Sequence, residues 1–143
     1  MKIAIASDHG GFALKQKLAE HLMEKDYEVL DLGTYSEESV DYPEYGKKCA
    51  QAVAGGEAEK GIVCCGTGIG ISIAANKVKG IRCALVTNEY MAEMTKRHND
   101  ANMLAFGGRV MTPEMAARCV DIWLAKEYEG GRHARRVAML DEM

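Results

Sequence analysis

Three glycines at alternate positions, Gly66, Gly68 and Gly70, follow directly on Cys65, with Thr67 and Ile69 between them. Glycines spaced in this way, between a strand-like run and a helix-like one, let successive backbone N–H groups face a single bound anion. A tight turn by itself would need one glycine and not three. Three familiar versions of such a loop do not fit. A dinucleotide fingerprint wants a glycine where Ile71 stands, and a phosphate-binding loop wants a lysine that is missing. A cysteine-dependent phosphatase loop would want an arginine at Ile71, counting from Cys65, or at Gly70, counting from Cys64.

Cys65 ends the run before this turn. A thiol beside a helix N-terminus and inward-facing amides is biased toward thiolate, although most free cysteines are simply buried packing. Cys64 takes that second role, because neighbours on a strand face opposite ways and only one can attend the turn. Asp8 and His9 follow the first strand. A carboxylate and an imidazole there could hold sugar hydroxyls or shuttle protons, and Asp8 could equally cap the next helix. His98, Asn99 and Asp100 close a later helix, where a cationic histidine is also stabilising for purely structural reasons. Arg132 and Arg136, four apart, share a face of the last helix and could clamp a phosphate, with Val137 and Leu140 as its apolar contact. Arg109 lies just past the fifth strand, on a strand expected to be remote from the third. His21 reads as solvated surface, and Met91, Met94, Met115, Ile122 and Trp123 as packing.

The composition narrows what these groups serve. Of 143 residues 48% are hydrophobic and 27% charged, which suits one domain with an ordinary core and excludes a disordered chain. Eighteen basic against 21 acidic side chains give a net charge of −3, and a nucleic-acid binder would show a basic stripe instead. No apolar run is long enough to span a bilayer. The cysteines, Cys49, Cys64, Cys65, Cys83 and Cys119, include no CxxC pair and no histidine at zinc spacing, so no metal or other cofactor is expected. Without a secretory signal after Met1, and with an odd set of thiols, the expected location is the cytoplasm.

The elements that must position these residues alternate along the chain. Strands are expected at 2–6, 28–32, 61–65, 82–87 and 103–106. Helices are expected at 12–25 (burying Leu14, Leu18 and Leu22), after a polar loop holding Asp41, Tyr42 and Pro43 to about 54 (burying Tyr45, Cys49 and Val53), from the glycine turn to 78, at 89–98, from Thr112-Pro113 to 126, and at 132–140. Repeated strand–helix alternation predicts a doubly wound parallel sheet between helical layers, a Rossmann-like αβα sandwich with a C-terminal tail helix, spanning 1–143 as one domain. Ligands of such folds sit beyond the carboxyl ends of the strands, where the winding reverses. The loops after the first and third strands are therefore the place for a site.

Taken together, these residues resemble the ribose-5-phosphate isomerase type B family, whose relatives include galactose-6-phosphate isomerase subunits. The resemblance is carried by Ser7-Asp8-His9-Gly10-Gly11, Asp41-Tyr42-Pro43, the run from Cys65 through Gly70 with 72–77, and 97–102. It continues in Phe106-Gly107-Gly108-Arg109-Val110 and in 128–132 with Arg136. It implies that Cys65 is the proton-abstracting base and that His98 opens the furanose ring. It also implies that Asp8, His9, Gly66, Thr67, Gly68, Ile69, Gly70, Asn99, Arg109, Arg132 and Arg136 bind the sugar phosphate. Another branch of the family uses a glutamate in the helix after the turn; the stretch 71–78 has no acid here, which places this chain in the cysteine branch.

The expected activity is aldose–ketose isomerisation of ribose 5-phosphate and ribulose 5-phosphate through an enediolate, without metal. A hexose 6-phosphate such as allose or galactose 6-phosphate is the alternative substrate, and a non-catalytic sugar-phosphate or nucleotide-binding module the alternative class. The helix ending at His98 starts at the carboxyl edge and runs back toward the opposite one, so His98 should end far from its own Cys65. The resemblance implies a homodimer, or a tetramer built from such dimers, and this topology predicts sites shared between its chains.

Overall fold

The computed structural model describes all residues, 1–143. Five strands, β1 (Lys2–Ser7), β2 (Glu28–Asp31), β3 (Lys60–Cys65), β4 (Cys83–Leu85) and β5 (Met103–Gly107), form one parallel sheet in the order β2-β1-β3-β5-β4. The inner strands β1, β3 and β5 are buried almost end to end. This is why they read as unbroken apolar runs and not as alternating ones. The winding reverses between β1 and β3, as the expected fold requires.

Six helices cover the sheet: α1 (Phe12–Glu24), α2 (Tyr42–Ala54), α3 (Ile69–Asn76), α4 (Glu89–Asn99), α5 (Pro113–Ala125) and α6 (Arg132–Asp141). One core joins α1, α4 and α5 to Ile3, Ile5, Ile62, Cys64 and Phe106. The other joins α2 and α3 to Ala4, Ala6, Val63, Cys65 and Ala105. Leu14, Leu18 and Leu22 enter the first core as their spacing predicts. Asn88 and Thr112 accept the N–H groups of Met91 and Met115 at 2.9 and 3.2 Å, capping α4 and α5.

Several expectations change. β4 is three residues long and not six, because it is an edge strand paired only with β5. On α2 only Cys49 of the three expected residues is fully buried; Gly46, Ala50 and Ala52 bring the helix close, leaving Tyr45 and Val53 partly covered. His21 is no free surface group, since its Nε2 lies 2.8 Å from Asp121 Oδ1 across the α1–α5 contact. Of the packing residues, Trp123 is fully buried and its Nε1 donates to the Ala101 carbonyl at 2.9 Å, whereas Met91, Met115 and Ile122 pack at the margin of the first core.

Candidate active site

The carboxyl edge of the sheet gathers three loops. Cys65 ends β3, faces the α2–α3 core side, and is 5% exposed. Its neighbour Cys64 points into the opposite core and is wholly buried, and burial drives its thiol strongly upward. The backbone then turns through Gly68, whose φ of +81° favours glycine, and its N–H donates to Cys65 Sγ at 3.2 Å. Thr67 Oγ1 accepts from the Ile69 N–H at 3.2 Å, which leaves its own proton free to donate. The N–H groups of Gly66, Thr67 and Gly70 bond to no other protein group, so they are the donors available to an oxyanion.

The loops after β1 and β5 close on this turn. Asp8 is buried and its Oδ1 accepts the Gly11 N–H at 3.1 Å. It therefore braces the loop without capping α1, whose N-cap is Gly11. A side chain at Gly11 would overlap the Cys64 backbone, so this loop is drawn tight over β3. His9 Nδ1 accepts the Val40 N–H at 3.2 Å, which leaves Nε2 to carry the proton of the neutral ring. A buried lysine that the pattern did not single out, Lys15, donates to Asp31 Oδ1 at 2.6 Å and to the Thr34 carbonyl at 2.8 Å. It holds the loop after β2 against Ser7, which exchanges backbone bonds with Gly33 and Thr34.

Arg109 is not remote. β5 pairs directly with β3, Cys65 facing Gly107, and the Gly108 and Arg109 N–H groups donate to the Cys65 and Gly66 carbonyls at 2.8 and 3.0 Å. The guanidinium lies over Gly66: a Cβ built there would sit 2.6 Å from Arg109 Nη1. The expectation failed because strand order follows no rule of sequence order, and β4 lies outside β5 at the edge. Tyr42, the first residue of α2, also reaches the turn, its ring pressed against Gly70. Only its place in the Asp-Tyr-Pro motif signalled it.

The remaining candidates are at the other edge. The Asn102 carbonyl, three residues past Asn99, accepts from Gly61 at the start of β3. Cys65 is four residues further along that strand, about 13 Å at the usual rise. His98 stacks on His133 of α6, centroids 4.2 Å apart and planes 15° apart. Asn99, Arg132 and Arg136 are exposed beside them. A cavity of about 450 Å³ also opens at this edge, between the end of α3, β4, α4 and α6, with Asn99 on its wall. The glycine turn is not part of it. The candidate residues therefore fall into two groups on opposite edges of one chain.

A protein-family model described as Ribose/Galactose Isomerase matches residues 3–140. The chain belongs to that family. Ribose-5-phosphate isomerase B of Escherichia coli (strain K12) is 54% identical over 136 residues, which is 95% of this chain and 91% of that protein. The structure of Clostridium thermocellum ribose-5-phosphate isomerase B is 58% identical and matches with a TM-score of 0.98, covering 99% of this chain and 96% of that one. Ribose-5-phosphate isomerase B from Mycoplasma genitalium, solved with bound ribulose-5-phosphate, is 40% identical with a TM-score of 0.93, covering 99% and 94% of the two chains.

Within this ribose/galactose isomerase chain, Glu129 and His133 lie at the far edge, and nothing in their sequence spacing assigns them a role beside Arg132 and Arg136. With His98 they form a cluster whose ligand atoms lie within 4.8 Å of one another. Its fit to a metal ion is poor. Imidazole lone pairs lie in their ring planes, and two rings stacked nearly parallel cannot both aim at one ion about 2 Å away unless one turns.

Proposed function

We propose that the chain interconverts ribose 5-phosphate and ribulose 5-phosphate, and that each site is shared by two chains of a homodimer. The observation that carries the reading is Cys65 at the open end of β3, facing a glycine turn with three unbonded N–H groups. Relatives named ribose-5-phosphate isomerase B, one with the product sugar bound, support it.

The chemistry follows from the groups present. His98 of one chain protonates the ring oxygen as its bond to C1 breaks, while Asp8 of the other takes the C1 hydroxyl proton, giving the open aldehyde. Cys65, as thiolate, removes the C2 proton, and the negative charge moves to O1. The turn amides, with the Thr67 hydroxyl, hold that oxyanion where it develops. Transfer of the C2 hydroxyl proton to O1, with return of the abstracted proton from the Cys65 thiol to C1, yields the ketose and restores the thiolate. With donors already in place for the enediolate, the step needs no metal, and exhaustive chelation should leave the rate unchanged. Asn99, Arg132 and Arg136 from the partner, with His9 and Arg109, hold the far hydroxyls and phosphate, so remote binding energy aligns the reacting carbons.

The shared site is supported by the two-edged placement of its parts and by the surface between them. Ile69 and Ile73, one turn apart on α3, are 52% and 55% exposed, and Tyr90 is 72% exposed. These are apolar side chains that a second chain would cover. The direct test is turnover of the purified protein on ribose 5-phosphate beside allose and galactose 6-phosphates. A higher kcat/KM on either hexose would move the substrate assignment, and binding without turnover on all three would make the chain a binding module.

A further inference from the structure

The cluster around His98 contains two groups to which the proposed mechanism gives no part. His133 is 9% exposed, and its Nε2 is buried without a hydrogen-bond partner. It lies 3.5 Å from Glu129 Oε1, while Glu129 Oε2 is 4.0 Å from His98 Nε2. The carboxylate thus faces both stacked imidazoles. It is itself held in place: Arg97 Nε donates to Oε2 at 2.7 Å, Arg97 Nη1 is tied to Glu93 at 2.7 Å, and the Glu129 N–H donates to the Arg97 carbonyl at 2.9 Å. Burial works to raise the Glu129 carboxyl, but the Arg97 bond and the charges of Arg97, His98 and His133 outweigh it and hold it below its usual range. The carboxylate is therefore ionised across the neutral range.

We infer that Glu129 and His133 are positioning residues for His98, acting in ring opening and not in proton abstraction from carbon. The inference rests on the isomerase reading above. The His133 ring stacks on one face of the donor imidazole and limits its rotation. The fixed carboxylate, 4.0 Å from His98 Nε2, orients the ring nitrogen that gives the proton, and it stabilises no charge that develops at C1 or C2. Cys65 and its turn belong to the other half-site, so the carbon chemistry should not sense the change.

Ribulose 5-phosphate, whose O5 carries the phosphate, cannot close to a furanose through that oxygen and enters the site open. Its C1 hydrogen can therefore exchange with solvent through Cys65 without any ring step. The experiment incubates ribulose 5-phosphate with enzyme in deuterated water and follows two rates: deuterium entering recovered ribulose 5-phosphate, and net formation of ribose 5-phosphate. Glu129→Gln should slow net conversion about tenfold, a modest part of what a general acid supplies, with exchange kept within about twofold. Glu129→Asp should recover part of the loss, and His133→Phe, which keeps a ring to stack, should lose less than His133→Ala. Exchange falling in step with net conversion would mean that Glu129 merely docks α6 and its arginines, and would overturn the inference. So would an unchanged net rate. Absence of exchange in the unaltered protein would instead overturn the isomerase reading, and this inference with it.

Discussion

At the scale of single residues, the contrast between Cys64 and Cys65 is the sharpest the structure offers. Adjacent in sequence, they enter different cores, and only Cys65 meets an N–H donor from the glycine turn. Cys65→Ala should lower kcat roughly a hundred- to ten-thousandfold while sugar-phosphate binding survives. Cys64→Ala should leave kcat unchanged and cost about 1 kcal/mol of stability. Equal losses of activity in two folded variants would remove the assignment. The buried thiols also set a pH limit. Burial raises Cys49 from the ordinary 9.0 to about 12 and shifts Cys64 and Cys83 in the same direction. The folded chain keeps these protons where the unfolded chain has released them. The stability they contribute is thus full below about pH 9 and is lost as pH rises toward 12, by up to about 1.4 kcal/mol per thiol per pH unit. Urea midpoints followed from neutral pH to about 10.5 should fall above 9, and Cys49→Ala should flatten the slope.

Among the elements, α6 is attached by few contacts. Two of its residues, His133 and Val137, are buried. Its ends are held by the His98–His133 stack and by Arg82 Nη1 on Asp141 Oδ1 at 2.7 Å. Elements with little buried apolar surface open first, so amide exchange in 132–141 should be the fastest of the six helices. Asp141→Asn should speed it several-fold further while global stability changes by no more than about 1 kcal/mol, as expected for an ion pair whose carboxylate stays partly exposed to water. If the same variant lowered the global midpoint strongly, α6 would be part of the cooperative core. The elements themselves were largely legible. Apolar runs marked the buried strands, and Asn88, Thr112 and Pro113 marked helix starts. β4 was overextended because residues 82–87 look the same to a pattern whether or not a second neighbour is there to pair with. α1 and α2 begin without a side-chain cap bond, so of the two roles open to Asp8 the cap is not the one it takes; it braces its own loop through the Gly11 N–H.

For the whole molecule, the separation of the two half-sites leads to a complementation experiment. Chains with Cys65→Ala and chains with His98→Ala, each inactive alone, are co-expressed and the mixed species isolated. Random pairing puts one intact site in half of the dimers, so the unseparated mixture should recover about a quarter of full activity and the isolated mixed dimers about half. A mixture as inactive as its parents, with mixed dimers shown to form, would mean that His98 serves its own chain. The fold class, the glycine turn, the Cys65–Cys64 distinction and the far placement of His98 all follow from local chemistry. Strand periodicity, glycine spacing and helix length are properties of neighbouring residues, and a sequence displays them directly. The position of Arg109, the burial of Lys15 and the His98–His133–Glu129 cluster do not follow from it. Each depends on which strands lie side by side, or on where α6 comes to rest after Gly130 and Gly131, both at positive φ. Those outcomes are set by packing free energy summed over contacts distant in sequence, with no single residue type to announce them. Strand order brought Arg109 over Gly66, and the docking of α6 brought a second imidazole and a carboxylate to His98.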